Sequence, residues 1–274
     1  MWKKKKVGVF MGGLSAEREI SLQSGGTILS SLKKKGYKAC SIDVNKDVPE
    51  QVIREGIQVA FIALHGRWGE DGSIQGMLEI MGIPYTGSGV LASALAMNKP
   101  MAKRILNFHK LQTPDFQVIE RDEIQEGGFE GQIQLKFPLV VKPISEGSAI
   151  GVSIVEDETI LKDAVEEAAR YTHSIMLEEF IHGSEITVGV LNGRPLPVIE
   201  IIPKSRFYDY RSKYTPGMTE YIIPARLPDD QLLKSQDIGL KAYKAMGCHG
   251  PARMDMILDS EGNPHVLEIN TIPG

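Results

Sequence analysis

Three oxygen-bearing side chains and an arginine are concentrated near the C-terminal end of the sequence. Arg253 and Asp255 lie in one apolar run. Glu268 and Asn270 lie in the next run, after a turn at residues 260–263. Side chains alternate between the two faces of a strand, so each pair shares a face and a hairpin would bring the four together. Carboxylate and amide oxygens suit Mg²⁺ and arginine suits phosphate, so the hairpin predicts a site for both.

A lysine and a glycine-containing loop form a second candidate site. Lys142 ends an apolar run, and the following loop contains Ser148 next to Gly147. Backbone N–H groups, a hydroxyl and an ammonium group in such a loop suit a triphosphate, because glycines permit a close approach. The residue order is not that of a Walker loop. A tight hairpin whose glycines serve only its geometry explains the loop equally well.

The strand that follows gives a weaker indication of nucleotide binding. Exposed backbone groups at residues 177–181 could pair with the edge of an adenine, and the carboxylate of Glu185 could hold ribose hydroxyls. On their own, acidic residues between strands are usually just solvated.

The elements that must position these residues follow from the apolar pattern. In the first third, strands are expected at residues 6–10, 38–44 and 59–64, and helices at residues 16–34 and 74–81. Alternation of strand and helix predicts a doubly wound parallel sheet. Further along, strands are expected at residues 137–142, 152–155 and 176–180, and helices at residues 158–171 and 229–246. We therefore predict an α/β domain at residues 1–93, a central antiparallel α+β subdomain at 94–183 and a C-terminal α+β domain at 184–274.

Composition and charge exclude several classes of function. The chain has 274 residues and a net charge of −4, which gives no electrostatic basis for binding nucleic acid or an anionic membrane. Its 2 cysteines match neither a disulfide framework nor a zinc-ligand spacing. The sequence lacks a run of transmembrane length and the features of a signal peptide, so we expect no membrane partner and a cytoplasmic protein.

Taken in order along the chain, these motifs resemble the ATP-grasp ligases, and more narrowly the D-alanine–D-alanine ligase family. The narrower resemblance rests on further stretches that together span essentially the whole chain. They are GGLSAEREIS at 12–21, HGRWGEDG at 65–72, MNK at 97–99, FYDYRSKY at 207–214 and EINTIPG at 268–274. The resemblance implies an ATP-grasp fold of three domains and a homodimer formed through the first of them.

The same resemblance implies a reaction. ATP would phosphorylate the carboxylate of one D-alanine, and the amine of a second D-alanine would attack the acyl phosphate to give D-alanyl-D-alanine for peptidoglycan synthesis. Such chemistry needs positioning and charge stabilisation more than a protein nucleophile. The implied cofactors are ATP and two Mg²⁺ ions, with Mn²⁺ as a substitute.

Roles for the binding residues come from the resemblance too. The Mg²⁺ ligands would be Asp255, Glu268 and Asn270. The phosphate ligands would be Lys99, Lys142 and Lys213. Adenine would be bound by Glu178, Phe180 and Ile181, and ribose by Glu185.

Roles for the residues around the reacting groups are implied in the same way. Glu17 would hold the first substrate's ammonium and connect through Ser148 to Tyr214, closing a loop that excludes water. His65 would lie near the first substrate's carboxylate. Arg253 and the backbone N–H of Gly274 would stabilise the oxyanion. Taken singly, His65 could end a buried strand and Glu17 could lie in a solvated helix start; their joint occurrence favours the site.

The chain departs from the family pattern at a few positions. Trp68 stands where a small glycine is usual, and Glu179 where a lysine is common. The family continues beyond the Pro–Gly pair with a serine that binds the second substrate and a final helix, so we expect a chain ending at Gly274 to bind ATP but ligate poorly. The adjacent Lys213 and Tyr214 favour D-alanine as the second substrate over D-lactate or D-serine.

Two alternatives stay open at the level of sequence. One is an ATP-grasp ligase that joins a different carboxylate and amine, against which the set of Glu17, Ser148 and Tyr214 argues. The other is a non-catalytic nucleotide-binding protein.

Overall fold

A computed structural model describes most of the chain. The described residues are 2–126, 129–145, 147, 149–204, 215 and 217–273. Within them the strands form three sheets, one parallel and two antiparallel, as expected for an ATP-grasp fold. In this part of the chain, no helix is both long enough and apolar enough to cross a bilayer.

The N-terminal sheet is parallel and covered on both faces. Its strands run in the order β2-β1-β3, with β1 at Lys6–Gly12, β2 at Lys38–Val44 and β3 at Val59–Ile62. The helices of this region are α1 at Arg18–Lys34, α2 at Val48–Arg54 and α3 at Ser73–Ile80. Val9 and Met11 pack with apolar residues of α1, and Phe10 joins the core on the other face. Burial on both faces explains why β1 reads as an uninterrupted apolar run.

Helix α1 begins two residues later than the sequence predicts. The hydroxyl of Ser15 accepts from the backbone N–H of Glu17 at 3.2 Å, and the Ser15 carbonyl accepts from the N–H of Arg18 at 3.1 Å. This turn leaves Glu17 just before the helix and directs the loop after β1 towards the end of β3.

Two short helices follow and pack against the C-terminal sheet. They are α4 at Val90–Met97 and α5 at Lys99–Phe108. Asn98 caps α5 by accepting from the N–H of Met101 at 3.1 Å. Leu106 and Ala102 of α5 belong to the same apolar core as the C-terminal strands. The segment predicted to open the central subdomain therefore packs with the C-terminal core.

The central sheet is antiparallel, in the order β4-β7-β5-β6. Its strands are β4 at Phe116–Glu120, β5 at Leu139–Pro143, β6 at Ser153–Val155 and β7 at Ser174–Glu179. Helix α6 at Arg121–Glu126 follows β4, and α7 at Leu161–Ala168 packs on the sheet. The helix predicted at 158–171 is shorter, since a 3₁₀ turn at Glu158–Ile160 comes first, capped by the carboxylate of Asp157.

The C-terminal sheet is antiparallel and carries the predicted hairpin at one edge. Its order is β10-β9-β8-β11-β12, formed by Gly183–Leu191 (β8), Arg194–Pro203 (β9), Thr219–Ile222 (β10), Pro251–Asp259 (β11) and Pro264–Asn270 (β12). Helix α8 at Asp229–Ala245 covers one face. Its Gly239 lies so close to Val188 that a Cβ would come within 2.9 Å of a methyl group. Beyond β12, Ile272 enters the core of the N-terminal domain.

Candidate active site

The register of β11 and β12 places the four polar residues of the hairpin together, as predicted. Arg253 lies opposite Asn270, and Asp255 lies opposite Glu268. The Asp255 carboxylate accepts from Nε of Arg253 at 2.8 Å and from Nδ2 of Asn270 at 2.9 Å. A second nitrogen of Arg253 donates to it at 2.9 Å, and the hydroxyl of Thr187 on β8 donates at 2.6 Å. Arg253, Asn270 and Thr187 thus form one hydrogen-bonded cluster around Asp255, with Glu268 opposite it on β12.

The oxygens of this cluster suit a hard divalent cation. Asp255 is 7% exposed, and Glu268 and Asn270 are partly buried. Two carboxylates and an amide are oxygen donors of the kind that bind Mg²⁺. Among the described residues, no three His, Cys, Asp or Glu side chains form a metal-binding group, so the amide oxygen and phosphate oxygens would have to complete the coordination. A cation at Asp255 would compete with Arg253 for the same oxygens.

A cavity of about 520 Å³ lies between the central and C-terminal sheets. Its volume is typical of a small-molecule site. Most of the predicted nucleotide and metal residues line it, namely Lys99, Lys142, Glu178, Phe180, Ile181, Glu185, Asp255 and Glu268. Apolar side chains from both sheets, including Val140 and Ile257, supply the rest of the wall. The cavity therefore combines an apolar surface suited to a base with cations suited to phosphates.

Glu178 is the most deeply buried carboxylate of the cavity. It is 2% exposed and forms ion pairs with both Lys142 and Lys103. Burial alone would raise the pKa of Glu178, but the two ammonium groups outweigh it and hold that pKa below its ordinary value. Burial also lowers the pKa of Lys103 to about 8, against the attraction of Glu178.

Sequence reasoning did not assign Lys103 to the site. A signal for it exists, because Lys103 is four residues after Lys99 and shares the buried stripe of α5 with Ala102 and Leu106. The predicted role of the Glu178 carboxylate in reading adenine stays a prediction, and its described partners are the two lysines.

Three loops meet around the carboxylate of Glu17: the loop before α1, the stretch at 65–72 and the loop after β5. Glu17 is 7% exposed. Its Oε2 lies close to the backbone of two glycines, since a Cβ added at Gly147 would come within 2.8 Å of it and one added at Gly66 within 3.1 Å. The glycine next to the predicted partner Ser148 thus lies against Glu17. Ser148 itself, with Lys213, Tyr214 and Gly274, lies outside the described residues.

His65 lies near Glu17, and one of its ring nitrogens makes no hydrogen bond to the described residues. It is 8% exposed, and within the described part of the chain its Nε2 has no hydrogen-bond partner. Burial lowers the pKa of His65, which Glu17 opposes and Arg253 reinforces. Buried polar atoms are normally hydrogen-bonded, so an unpaired Nε2 beside Glu17 fits a ligand group at this position.

Glu70 is a further acidic residue of the site that sequence reasoning passed over within the motif at 65–72. Its carboxylate accepts from the N–H of Gly66 at 2.7 Å. It lines a second, smaller cavity of about 30 Å³ together with Lys99, Glu268 and Asn270. Burial raises the pKa of Glu70 to about 8 against the effect of the Gly66 hydrogen bond. The surroundings of Glu70 therefore favour the neutral form of its carboxyl group.

The two departures from the family pattern differ in their positions. Trp68 is partly buried against the core of the N-terminal domain and has a left-handed backbone, with φ of 71°. Glu179 is exposed and lines the large cavity. Only the second residue is therefore in contact with the nucleotide cavity.

Two family profiles match most of the sequence. The family profile described as D-ala D-ala ligase C-terminus matches residues 105–274, and the profile for the D-ala D-ala ligase N-terminus matches residues 45–88. The D-alanine–D-alanine ligase of Geotalea uraniireducens is 51% identical over 272 residues, covering 99% of this chain and 87% of the relative. That of Syntrophotalea carbinolica is 51% identical over 270 residues, covering 98% and 87%.

Solved structures agree with these relatives. The D-alanine–D-alanine ligase of Bacillus anthracis complexed with ATP has a TM-score of 0.84 and 35% identity, covering 98% of this chain and 87% of that one. The VanG D-Ala:D-Ser ligase of Enterococcus faecalis has a TM-score of 0.82 and 29% identity, covering 98% and 91%. With half of all positions shared with curated relatives over nearly its whole length, the chain belongs to the D-alanine–D-alanine ligase family.

Proposed function

We propose that this chain uses ATP to join two D-alanine molecules into D-alanyl-D-alanine for peptidoglycan synthesis, with ADP and phosphate as the other products. Family membership supports the reaction. The observation that carries the assignment of residues is the cavity of about 520 Å³, where lysines, carboxylates and apolar groups from two sheets converge.

The cavity supports a division of roles along the nucleotide. Phe180 and Ile181 provide an apolar surface for adenine, and Glu185 on β8 is placed to hold the ribose. Lys99 and Lys142 are 9% and 8% exposed, and both line the same cavity. Cations at this degree of burial interact strongly with phosphate, because little water competes. Lys213 is proposed to reach the γ-phosphate.

The proposed metal ligands are Asp255, Glu268 and Asn270, for two Mg²⁺ ions. When bound there, the cations would neutralise charge on the phosphate oxygens. Arg253 would then leave Asp255 and become available to the oxyanion that forms when the amine attacks, together with the N–H of Gly274. The ion pair of Arg253 with Asp255 keeps the guanidinium in the site until then.

The first D-alanine is proposed to lie between the N-terminal domain and the hairpin. Glu17 would bind its ammonium, and Nε2 of His65, which has no hydrogen-bond partner among the described residues, would contact its carboxylate. A neutral Glu70, which its raised pKa favours, would avoid a further negative charge beside Glu17 and Glu268. Ser148 and Tyr214 are proposed to continue from Glu17 and to close the site against water, which would otherwise hydrolyse the acyl phosphate.

Mass spectrometry of the products from ATP, Mg²⁺ and D-alanine tests this function. We expect D-alanyl-D-alanine and ADP in equal amounts, and loss of both in Lys142→Met. Lys136→Met, which alters an exposed lysine of the same domain outside the cavity, is the matched control. ATP consumption without dipeptide would contradict the proposal.

Specificity for the second substrate is a separate question, since the fold is shared with a D-Ala:D-Ser ligase. We expect D-alanine to be preferred, because relatives 51% identical are D-alanine–D-alanine ligases. Competition between D-alanine, D-serine and D-lactate in one reaction would show the preference, and mainly D-alanyl-D-serine or D-alanyl-D-lactate would overturn it.

We also propose that the protein is a cytoplasmic homodimer. The use of ATP as a substrate supports a cytoplasmic location, because ATP is available there. For the dimer, two exposed apolar side chains of the N-terminal region, Ile80 at 91% and Leu91 at 71%, support an interface there. Light scattering after size-exclusion chromatography should give twice the monomer mass of 30.2 kDa, and a monomer at micromolar concentration would contradict the dimer.

A further inference from the structure

A buried lysine that none of the proposed steps uses connects the C-terminal core with the nucleotide cavity. Lys103 is 0% exposed. Its ammonium group donates to the hydroxyl of Thr113 at 2.6 Å and to the carbonyl of Pro114 at 3.1 Å. It also pairs with Glu178 and lies 5.7 Å from the centre of the Phe116 ring. An ammonium group is costly to bury, so contacts on so many sides indicate a group that is held in place for its charge.

The contacts of Lys103 continue in both directions. On one side, the hydroxyl of Thr113 donates to the carbonyl of Val266 at 2.8 Å. Val266 is on β12, two residues before the proposed metal ligand Glu268. On the other side, Glu178 pairs with Lys142, which lines the cavity. A single series of polar contacts therefore runs from the hairpin strand to the phosphate lysine.

The charges in this series are not balanced. Glu178 supplies one negative charge to two ammonium groups. Of these two lysines, Lys142 lines the cavity and Lys103 does not, so an anion in the cavity can contact only Lys142 of the pair. While Lys103 stays on Glu178, Lys142 can turn to a phosphate without leaving a buried carboxylate unpaired. Without Lys103, Glu178 and the phosphate would compete for one ammonium group.

We propose that Lys103 is a positioning residue for nucleotide binding, which neutralises and orients Glu178 so that Lys142 is available to the phosphates of ATP. This inference rests on the proposed function, because it places phosphates at Lys142. The charged groups that act on Lys103 include Asp115, which adds a weaker attraction from the segment before β4.

The test compares the affinity of the full chain for MgATP, by calorimetry, in the wild type, Lys103→Met, Lys103→Arg and the double variant Lys103→Met/Glu178→Gln. We expect Lys103→Met to weaken binding about tenfold at pH 6.5, where Lys103 of the wild type carries its charge. Lys103→Arg should stay within about threefold of the wild type, since the charge is kept. The double variant should recover most of the loss, because the neutral amide that replaces the Glu178 carboxylate would not compete for Lys142 and keeps an oxygen that can accept from adenine.

The pH dependence separates this role from a merely structural one. In Lys103→Met the loss should shrink as the pH falls below 6.5, because Glu178 then accepts a proton and releases Lys142. The wild type should show no such trend in this range, because its Lys103 stays charged there. Should Lys103→Met not fold, Thr113→Val removes one contact of the ammonium group and should weaken binding about threefold.

Several results would overturn the inference. One is wild-type affinity of folded Lys103→Met at every pH. Another is a loss in that variant that neither the second substitution nor low pH relieves. If Lys103→Met does not fold, unchanged affinity in Thr113→Val has the same meaning. A wild type that binds MgATP and ligates, with these variants unaffected, would overturn this inference alone; a wild type that does not bind MgATP would overturn the proposed function as well.

Discussion

Glu178 and Glu70 lie in adjoining cavities that share Lys99 and Glu268, yet the pKa values of their carboxyl groups shift in opposite directions. Desolvation disfavours the charged form of both, although Glu178 is 2% exposed and Glu70 is only partly buried. Lys103 and Lys142 face Glu178 and hold its pKa below the ordinary value. Glu70 has a backbone donor from Gly66 instead, and its pKa rises to about 8. The comparison teaches that desolvation raises the pKa of a carboxyl group unless charged partners outweigh it.

Each charge state suits its surroundings in the proposed reaction. The ionised Glu178 partly neutralises the positive charge of two lysines beside the proposed phosphate site, which lowers the repulsion between ammonium groups before ATP binds. The neutral Glu70 lies near Glu17 and Glu268, where a third negative charge would be repelled. Two residues of one type thus serve opposite electrostatic needs.

Removal of Glu178 should have the largest effect on stability. In Glu178→Ala, two buried ammonium groups lose their counter-charge, which we expect to cost about 3–5 kcal/mol in the free energy of unfolding. Urea denaturation at neutral pH measures this loss. Glu70→Ala is the matched control and should cost clearly less; an equal loss in both would remove the distinction between the two carboxyl groups.

The pH dependence of stability should separate the two residues by sign. For Glu70, the folded pKa of about 8 exceeds the ordinary 4.5, so its contribution is full below 4.5 and is lost as the pH rises to about 8. For Glu178, the lowered pKa means that its contribution is present above 4.5 and is lost as the pH falls through the folded value.

Urea unfolding of Glu70→Gln and Glu178→Gln across this range tests the signs. The wild type should lose its advantage over Glu70→Gln on going from acid to pH 8, and its advantage over Glu178→Gln on going to acid. Parallel curves for the two variants would be inconsistent with opposite charge states.

Disturbing the backbone donor of Glu70 should have a moderate effect. Gly66 has φ of 65°, and an added Cβ would lie 3.0 Å from Cβ of Ser15 and 3.1 Å from Oε2 of Glu17. Strain and crowding should make Gly66→Ala less stable by about 1–3 kcal/mol. Thermal unfolding checks this, with Gly82→Ala as the control, because Gly82 also has a positive φ of 65° but nothing within 4 Å of an added Cβ. Equal losses would show that the crowding around Glu17 is unimportant.

An ion pair with an exposed arginine at the cavity should show the smallest effect. Glu200 forms a bidentate ion pair with Arg226, whose side chain is 62% exposed. Water screens such pairs, so Arg226→Ala should change the free energy of unfolding by no more than about 1 kcal/mol. Chemical denaturation in low and high salt measures this. A loss in the free energy of unfolding as large as that of Glu178→Ala would show that the stabilisation by an ion pair does not depend on its burial.

Sequence reasoning succeeded where local rules are sufficient. The hairpin of Asp255 and Glu268 follows from alternation along two strands joined by a short turn, and the structure confirms it. The parallel N-terminal sheet and the cap at Asn98 follow from similarly local patterns. Boundaries were less accurate, as at α7, because a 3₁₀ turn and an α-helix have nearly the same sequence pattern.

Strand alternation and loop chemistry act over a few residues, so they were enough to predict the ligand types. The reaction class came from the resemblance of the ordered motifs to a known family. The pairing of Lys103 with Glu178, and the approach of Glu17 to Gly147, join residues separated by more than seventy positions. Such contacts depend on how the sheets pack, and so does the charge of each carboxyl group, since desolvation and neighbouring ammonium groups set it. The sequence by itself determined which chemical groups are available to this site. Packing of the sheets determined which of these groups are charged and which of them position the others.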